Sequence, residues 1–315
     1  MFESLAEMLS LAEAENQPLH AIVIAREAET TGRSREEVWA AMARRLQVMR
    51  QSAEEGLSRP VRSLSGMTGG DAYRLWQWLA AGHEPVTGPI LSRAIARAMA
   101  VNEVNAGMGC IVATPTAGSA GILPGVLLTL QEAYGFSDDD LVNALFTASG
   151  VGAVIARRAS IAGAAGGCQA ETGSAAAMAA AAGVELLGGS PHQSAHAVAI
   201  TLKNMLGLVC DPVAGLVEVP CIKRNAAGAA QCFIAIDLAL AGVKSVIPPD
   251  EVIDAMGRIG RRMDPRFKET AEGGLAATPT GRRLARMIWS HSEDQRDRKP
   301  EGQRDAASTN APTTE

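Results

Sequence analysis

Three cysteines, Cys168, Cys210 and Cys221, each lie in a short sequence that predicts a turn beside a helix, namely GGCQ, VCDP and VPCI. They are 42 and 11 residues apart. Three thiolates are one ligand short of a closed tetrahedral site, so a metal cluster held by them would keep one metal open to a substrate. The spacing matches no short metal-binding motif, and buried structural cysteines are the alternative interpretation.

The sequences around these cysteines suit a negatively charged inorganic group. Glycines before Cys168 let the backbone approach a bulky ligand, and a helix that follows stabilises a thiolate. Two cations, Lys223 and Arg224, follow the third cysteine and would help offset the negative charge of a cluster.

A second candidate is the sequence TPTAGSAG from Thr114 to Gly121. It offers the hydroxyls of Thr114, Thr116 and Ser119 and backbone amides around Gly118. Hydroxyls combined with amides at a helix N-terminus bind a carboxylate or a phosphate. No lysine follows the last glycine, so this is not a P-loop. A tight structural turn is the alternative.

The composition favours closely packed helices. The 315 residues are 47% hydrophobic but only 3% aromatic, and a β-sandwich needs more aromatic and β-branched side chains. A net charge of −5 and the lack of a basic stripe argue against a nucleic-acid partner. The most apolar stretches, 175–188 and 226–247, are interrupted by charged residues, so we expect buried helices and no membrane span.

Five cysteines in a chain without a secretory signal predict a reducing, cytoplasmic location. Cys110 and Cys232 lie in apolar sequences, and we expect both to be small buried hydrophobic residues.

Helix boundaries can be read at several points. Three serines are predicted to begin helices: Ser34, Ser137 and Ser190. Asp71 is predicted to cap a helix, and Gly56 and Gly260 to end two others. Residues 216–219 are the one candidate for a short strand. The pattern predicts an all-α protein with short irregular loops.

We divide the chain into an all-helical catalytic domain, 1–290, and a polar tail, 291–315. The tail has almost no apolar side chain, so it cannot bury enough surface to offset the entropy of ordering and is predicted to be disordered.

Taken together, these motifs resemble the α subunit of bacterial iron–sulfur L-serine dehydratase, in order over roughly residues 1–290. The motifs that carry the resemblance are TGGD at 68–71, NEVN at 102–105, ATPTAG at 113–118, GCQ at 167–169, GLVCDP at 207–212, VPCI at 219–222, KET at 268–270 and GGL at 273–275.

The resemblance implies an oxygen-sensitive [4Fe-4S] cluster in an all-helical catalytic domain. Cys168, Cys210 and Cys221 match the three ligand positions of the family, and the fourth iron is left for the substrate, as in aconitase. The family reaction converts L-serine to pyruvate and ammonia.

Two departures from single-chain members matter. Those members carry a second, α/β domain with a Ser/His/Thr-rich loop, which this chain lacks, so we expect a separate β subunit and a hetero-oligomer. Some members end in a further cysteine that caps the open iron. This chain has RRL at 282–284 and a polar tail instead, so self-capping is not expected.

The resemblance suggests roles for the remaining residues. The open iron would bind the serine hydroxyl as a Lewis acid, and the loop at 114–119 is our candidate for binding the substrate carboxylate. Lys223, Arg224 and Asn225 are candidates for tuning the cluster or contacting the substrate. The base that removes the Cα proton is implied to be a histidine of the partner domain, and Glu171 is the local alternative.

Two rival hypotheses stay open at this point. One is a related iron–sulfur lyase that acts on L-cysteine or L-threonine. The other is a non-catalytic subunit, either stabilised by zinc or serving as a scaffold.

Overall fold

The computed structural model describes residues 2–297, with side chains for residues 2–290. Within these residues the chain has no β-strand, which confirms the predicted all-α class. The α-helices of this part of the chain are α1 Leu5–Glu15, α2 Leu19–Thr31, α3 Arg35–Ser58, α4 Asp71–Ala80, α5 Gly88–Ala106, α6 Ile122–Tyr134, α7 Asp138–Arg158, α8 Gly163–Gly166, α9 Ser174–Leu186, α10 Pro191–Met205, α11 Cys221–Leu240, α12 Pro249–Arg262 and α13 Pro279–Asp297.

Helix α9 lies at the centre of the core. Its alanines at 175–177 and 179–182 are fully buried, and it packs against α6, α7, α10 and α11. Because alanine projects only a methyl group, these helices can approach α9 closely. Gly183 lies on the same helix, and an added Cβ there would clash with Ile236 of α11. Small side chains therefore build the core of a chain that has few aromatic residues.

Two glycines that were predicted to end helices instead permit close packing. Helices α3 and α12 continue past Gly56 and Gly260. A Cβ on Gly56 would lie 2.6 Å from the carbonyl oxygen of Ala100, and a Cβ on Gly260 would lie 2.8 Å from Cα of Gly166. The predicted stops were wrong because the local sequence does not show that another helix packs closely against each of these glycines.

The three predicted helix starts are confirmed as capping boxes. The hydroxyls of Ser34, Ser137 and Ser190 accept hydrogen bonds from the backbone three residues later, at 3.2, 3.2 and 3.3 Å. The side chain of that later residue accepts from the serine N–H in return. These bonds satisfy amides that lack a partner within the helix and fix where α3, α7 and α10 begin.

The start of α4 is capped from a distance, and the prediction that Asp71 caps it was wrong. Asp71 is the first residue of α4. The carboxylate of Glu103, on α5, accepts from the N–H groups of Gly70, Asp71 and Ala72 at 3.2, 2.8 and 3.3 Å. A residue 32 positions after Asp71 therefore provides the acceptor that a local N-cap side chain usually supplies.

The predicted strand at 216–219 is absent, and this described segment is irregular. The buried carboxylate of Glu218 accepts hydrogen bonds from the hydroxyls of Ser65 at 2.9 Å and Thr68 at 2.8 Å. These side-chain bonds to the loop at 65–68, together with a backbone bond from the N–H of Val213 to the carbonyl of Val219 at 2.8 Å, hold the chain just before Cys221.

The last described helix, α13, continues to Asp297, past the predicted end of the helical domain at residue 290. The remainder of the predicted disordered tail, 298–315, lies outside the described residues.

Helix α7 is long and apolar enough to cross a membrane by length and composition alone. However, 67% of its apolar window is buried inside the protein, which is typical of a core helix.

We predict that Glu103→Ala destabilises the protein by about 2 kcal/mol, because the backbone N–H groups of Gly70, Asp71 and Ala72 lose their acceptor. Chemical denaturation measures the loss. The control is Glu103→Gln, which keeps an acceptor oxygen and should lose less. An alanine variant as stable as the wild type would show that this cap contributes nothing.

The difference in stability between the wild type and Glu103→Gln should also depend on pH, with a defined sign. Burial raises the pKa of Glu103 above its ordinary value, despite the three backbone hydrogen bonds that oppose the shift. The folded protein therefore binds this proton more tightly than the unfolded chain. As the pH falls from neutral through the raised pKa, the wild type should gain stability relative to Glu103→Gln.

Candidate active site

The structure brings the three predicted cysteines together. Cys168 directly precedes a π-helix, Gln169–Gly173, that leads into α9; Cys210 lies in the loop after α10; Cys221 begins α11. They are only 2%, 2% and 7% exposed. Cys168 and Cys210 are close enough for each to shift the pKa of the other, and Cys168 also raises the pKa of Cys221. Single π-helical turns often mark functional sites, and this one follows the first cysteine.

The three thiols differ in acidity. The hydrogen bond from Cys210 is the largest of the effects that lower the pKa of Cys168 to about 7, and the Thr172 hydroxyl, 2.9 Å from Sγ, adds to it. The same hydrogen bond, reinforced by burial, raises the pKa of Cys210, which keeps its proton as the donor. Burial raises the pKa of Cys221 to about 12. Three thiolates here need positive counter-charge, which bound metal supplies.

The Gln169 side chain holds the segment around the first cysteine. Its Nε2 donates to the carbonyls of Gly166 at 2.9 Å and Met256 at 3.2 Å, and its Oε1 accepts from the N–H of Gly207 at 2.9 Å. The backbone N–H of Gln169 also donates to the carbonyl of Leu208 at 2.9 Å. One buried amide thus joins α8, α12 and the loop that carries the second cysteine.

Residues 265–275, called the strap below, lie over Cys210. The N–H of Cys210 donates to the carbonyl of Phe267 at 2.8 Å, and the N–H of Glu269 donates to the carbonyl of Cys210 at 2.9 Å. Glu269 has a left-handed backbone with φ of 65°, which is uncommon for a residue with a side chain. The KET motif therefore places a glutamate beside the second cysteine.

Asp211 fixes both the strap and a cation. Its Oδ1 accepts from Nη2 of Arg224 at 2.8 Å, and its Oδ2 accepts from the N–H of Leu275 at 2.8 Å. Gly274 is needed in the strap because its φ is 56° and an added Cβ would clash with the Asp211 carboxylate. Arg224 also donates to the carbonyl of Val209 at 2.8 Å, and its positive charge lowers the pKa of the first cysteine.

The two predicted cations occupy different places. The side chain of Lys223 is 65% exposed, and its ammonium donates to Asp71 at 2.7 Å. Arg224 is the cation beside the sulfurs.

Asn225 is completely buried and has a counterpart in Asn102. The amide nitrogens of Asn225 and Asn102 donate to the carbonyl of Gly118 at 2.7 and 3.0 Å. Their carbonyl oxygens accept from the N–H of Gly121 at 3.0 and 3.1 Å. Asn225 also donates to the carbonyl of Cys221 at 2.9 Å. The pair thus holds the loop at 118–121 beside the start of α11.

The hydroxyls of the loop at 114–119 are used within the protein. The buried Thr114 hydroxyl donates to the carbonyl of Ala120 at 3.3 Å, and the buried Ser119 hydroxyl donates to the carbonyl of Thr114 at 3.4 Å. Thr116 is partly exposed and donates to the carboxylate of Glu171. Substrate binding by this loop stays a prediction, with Thr116 as its accessible hydroxyl.

Glu171 joins this loop to the cysteines. Its carboxylate accepts from the Thr116 hydroxyl and packs against Gly118, where an added Cβ would lie 2.5 Å from Oε1. Burial is the main cause that raises the pKa of Glu171, and the charge of Glu269 raises it further. A carboxyl with a raised pKa is better suited to exchange protons near neutral pH than an ordinary one.

Three of these groups pack closely around Gly163, which is buried. A Cβ added there would lie 3.0 Å from Sγ of Cys210, 3.3 Å from Oε2 of Glu171 and 3.4 Å from Oε2 of Glu269. Glycine at this position therefore lets a sulfur and two carboxylates approach the same stretch of backbone.

The chemistry of the residues present is compatible with an iron–sulfur cluster. Cys168, Cys210 and Cys221 are buried, and the positive charge of Arg224 lowers the pKa of Cys168. Each thiolate of a cluster binds a different iron, so its ligands need not meet at one point. Among the described residues, no group of three His, Cys, Asp or Glu side chains is placed to hold a single metal ion.

The other two cysteines lie apart from this set. Cys232 is buried, as predicted, and its thiol donates to the carbonyls of Ala176 at 3.2 Å and Gly228 at 3.1 Å. Cys110 is exposed, so the prediction that it is buried was wrong. It lies in an exposed turn after α5, which its apolar sequence neighbours did not reveal.

Four residues of this region were not among the predicted site residues: Asn102, Asp211, Glu218 and Glu269. Three of them stand in motifs that the sequence singled out, NEVN, GLVCDP and KET. Their positions were therefore visible, but their partners were not, because each contacts a segment far away in the chain.

Comparison with known proteins identifies the family of this chain. A family model described as "Serine dehydratase alpha chain" matches residues 14–276, which include all three cysteines.

Three relatives show how far the similarity extends. The chain is 52% identical over 289 residues to the probable L-serine dehydratase, alpha chain, of Bacillus subtilis, covering 92% of this chain and 96% of the relative. It is 43% identical over 286 residues to the L-serine dehydratase, alpha chain, of Peptoniphilus asaccharolyticus, covering 91% and 98%. It is 40% identical over 255 residues to the L-serine dehydratase of Mycobacterium tuberculosis, covering 79% of this chain and 55% of the relative. The chain therefore belongs to the serine dehydratase alpha chain family.

Proposed function

We propose that this chain is the iron–sulfur subunit of an L-serine ammonia-lyase, which converts L-serine to pyruvate and ammonia. The observation that carries the proposal is a set of three buried cysteines, one of which lies with Glu171 against Gly163, while Glu171 is bonded to Thr116 of the loop at 114–119, in a chain of the serine dehydratase alpha chain family.

Cys168, Cys210 and Cys221 would hold a [4Fe-4S] cluster, and three ligands for four irons leave one coordination position to a substrate. When bound, the cluster would supply a Lewis acid that makes the serine hydroxyl a better leaving group. The described cysteines are all free, which supports a reducing, cytoplasmic setting.

The protein groups would do the rest of the chemistry. Arg224 places a positive charge beside the sulfurs and so offsets the negative charge of thiolates. Thr116 and the backbone of the loop that Asn225 holds would orient the substrate carboxylate. Glu171, with its raised pKa, is the candidate of this chain for accepting the Cα proton. Loss of the proton and of water gives aminoacrylate, which tautomerises and hydrolyses to pyruvate and ammonia.

A separate β subunit is part of the proposal. The chain matches two alpha chains over nearly their whole length but only about half of the Mycobacterium tuberculosis enzyme. The partner would supply the remaining part of the catalytic site, with a histidine as the alternative base.

We predict that Cys168→Ser loses most of its iron and at least ~100-fold of its activity, because a hydroxyl is a poor replacement for a thiolate ligand. Iron analysis, visible absorbance and pyruvate formation in anaerobically purified protein measure these losses. The control is Cys110→Ser, the same exchange at an exposed cysteine, which should keep both iron and activity.

Two results would contradict the cluster assignment. One is a Cys168→Ser protein with full iron and full activity. The other is a colourless wild type that contains zinc, which would favour a structural subunit.

We also predict a defined order among substrates. With the β subunit present, L-serine should give the highest kcat/KM for keto-acid formation. L-Cysteine should inhibit, because its thiol is a strong ligand for cluster iron. Anaerobic assays of pyruvate from serine and cysteine, and of 2-oxobutyrate from threonine, provide the comparison. Faster turnover of cysteine or threonine would assign the enzyme to that substrate.

A further inference from the structure

The first of the three cysteines has a hydroxyl beside its sulfur. Oγ1 of Thr172 lies 2.9 Å from Sγ of Cys168, and each of these residues is only 2% exposed. Among the described residues, no other hydroxyl lies within hydrogen-bonding distance of the sulfur of Cys168, Cys210 or Cys221. The three sulfurs are therefore not equivalent, because one of them has a buried hydrogen-bond donor of its own.

The helix that follows Cys168 brings this hydroxyl to the sulfur. Thr172 belongs to the π-helix Gln169–Gly173 and lies four residues after Cys168. In an α-helix, the hydroxyl of a threonine often bonds to the backbone carbonyl four residues earlier. Here the hydroxyl bonds to the side chain of the residue four positions earlier. The π-helix thus places a threonine where its hydroxyl meets a sulfur.

Packing of the Thr172 methyl group holds the hydroxyl in this direction. A Cβ added at Gly228 of α11 would lie 3.2 Å from Cγ2 of Thr172, so the methyl group packs against this helix. A β-branched side chain has few allowed χ1 rotamers. With its methyl group against α11, Thr172 keeps its hydroxyl toward Cys168.

We infer that the Thr172 hydroxyl donates a hydrogen bond to the Cys168 sulfur when that sulfur binds iron, and that this bond tunes the electron density of the cluster. This inference rests on the proposed function. A cysteine that binds a metal has lost its proton, so its sulfur can only accept. The hydroxyl has no second partner among the described residues, so its proton is available for the sulfur. Thr172 is a positioning residue in this role, because it acts through Cys168 and not on the substrate.

The expected effect has a defined sign. A hydrogen bond to a ligand sulfur withdraws electron density from the iron and raises the reduction potential of the cluster. Iron with less electron density is a stronger Lewis acid toward a substrate hydroxyl. It is also harder for oxygen to oxidise. Thr172 would therefore favour both the chemistry at the open iron and the retention of iron.

Thr172→Val tests the hydroxyl alone, because valine has nearly the same shape and keeps a methyl group against Gly228. The holoenzyme with its β subunit is prepared without oxygen, and its potential is measured by redox titration with electron paramagnetic resonance of the reduced cluster. The potential of Thr172→Val should be more negative than that of the wild type. In air, the variant should lose its iron about tenfold faster.

Thr201→Val is the matched control. Thr201 lies in α10, is completely buried, and its hydroxyl has no hydrogen-bond partner within the described residues. The same exchange there should leave the potential and the rate of iron loss unchanged. A Thr172→Val enzyme with the potential and iron loss of the wild type would overturn the inference, as would an equal effect of Thr201→Val.

A second pair of variants covers the case in which Thr172→Val holds no cluster. Thr172→Ser and Thr172→Ala both lack the methyl group and differ only in the hydroxyl. Thr172→Ser should have the higher potential and the slower loss of iron, and equal values would overturn the inference. If the wild type holds a cluster and forms pyruvate, such a result refutes the role of Thr172 alone. A wild type that binds no iron would refute the proposed function as well.

Discussion

The paired amides of Asn102 and Asn225 are the interaction on which the arrangement of the site depends. Both side chains are completely buried, and both bond the same carbonyl of Gly118 and the same N–H of Gly121. Leaving such buried backbone groups unpaired costs about 1–3 kcal/mol each. Asn102 belongs to α5, and Asn225 belongs to the first turns of α11, which begins with a cysteine. The turn between them is therefore fixed relative to both the helical core and one sulfur, and the carboxylate of Glu171 packs against Gly118 of this turn.

The site also depends on how buried charge is balanced. Burial opposes ionisation of the thiol of Cys221 and of the carboxyl of Glu171, because water no longer solvates the charged forms. Arg224 is the nearby cation, and Asp211 holds it in place from the same loop that carries the second cysteine. Asp211 also binds the strap, so the position of the cation and the cover over that cysteine are set by one carboxylate. Breaking a buried pair of this kind costs more than the pair contributes, since it leaves an uncompensated charge.

The sequence was sufficient for features whose causes are local. The capping boxes at Ser34, Ser137 and Ser190 require only residues three apart, and low aromatic content with many small residues correctly indicated packed helices. It failed where the cause is a distant contact. Two glycines that look like helix stops are places where another helix packs closely, and α4 is capped by Glu103 from another helix. For the site, the motifs marked the right positions, but only the fold shows that Arg224, and not Lys223, accompanies the sulfurs.

The placement of the cysteines on separate segments has a consequence for how the three thiols come together. Cys168 precedes α9, Cys210 follows α10 and Cys221 begins α11, so the sulfurs meet only after these helices have packed. An unfolded chain offers no compact set of thiols, unlike a short motif with two cysteines a few residues apart. The three thiols therefore form a set only in the folded chain. Partial unfolding of these helices would separate the thiols from one another before any of them is chemically changed.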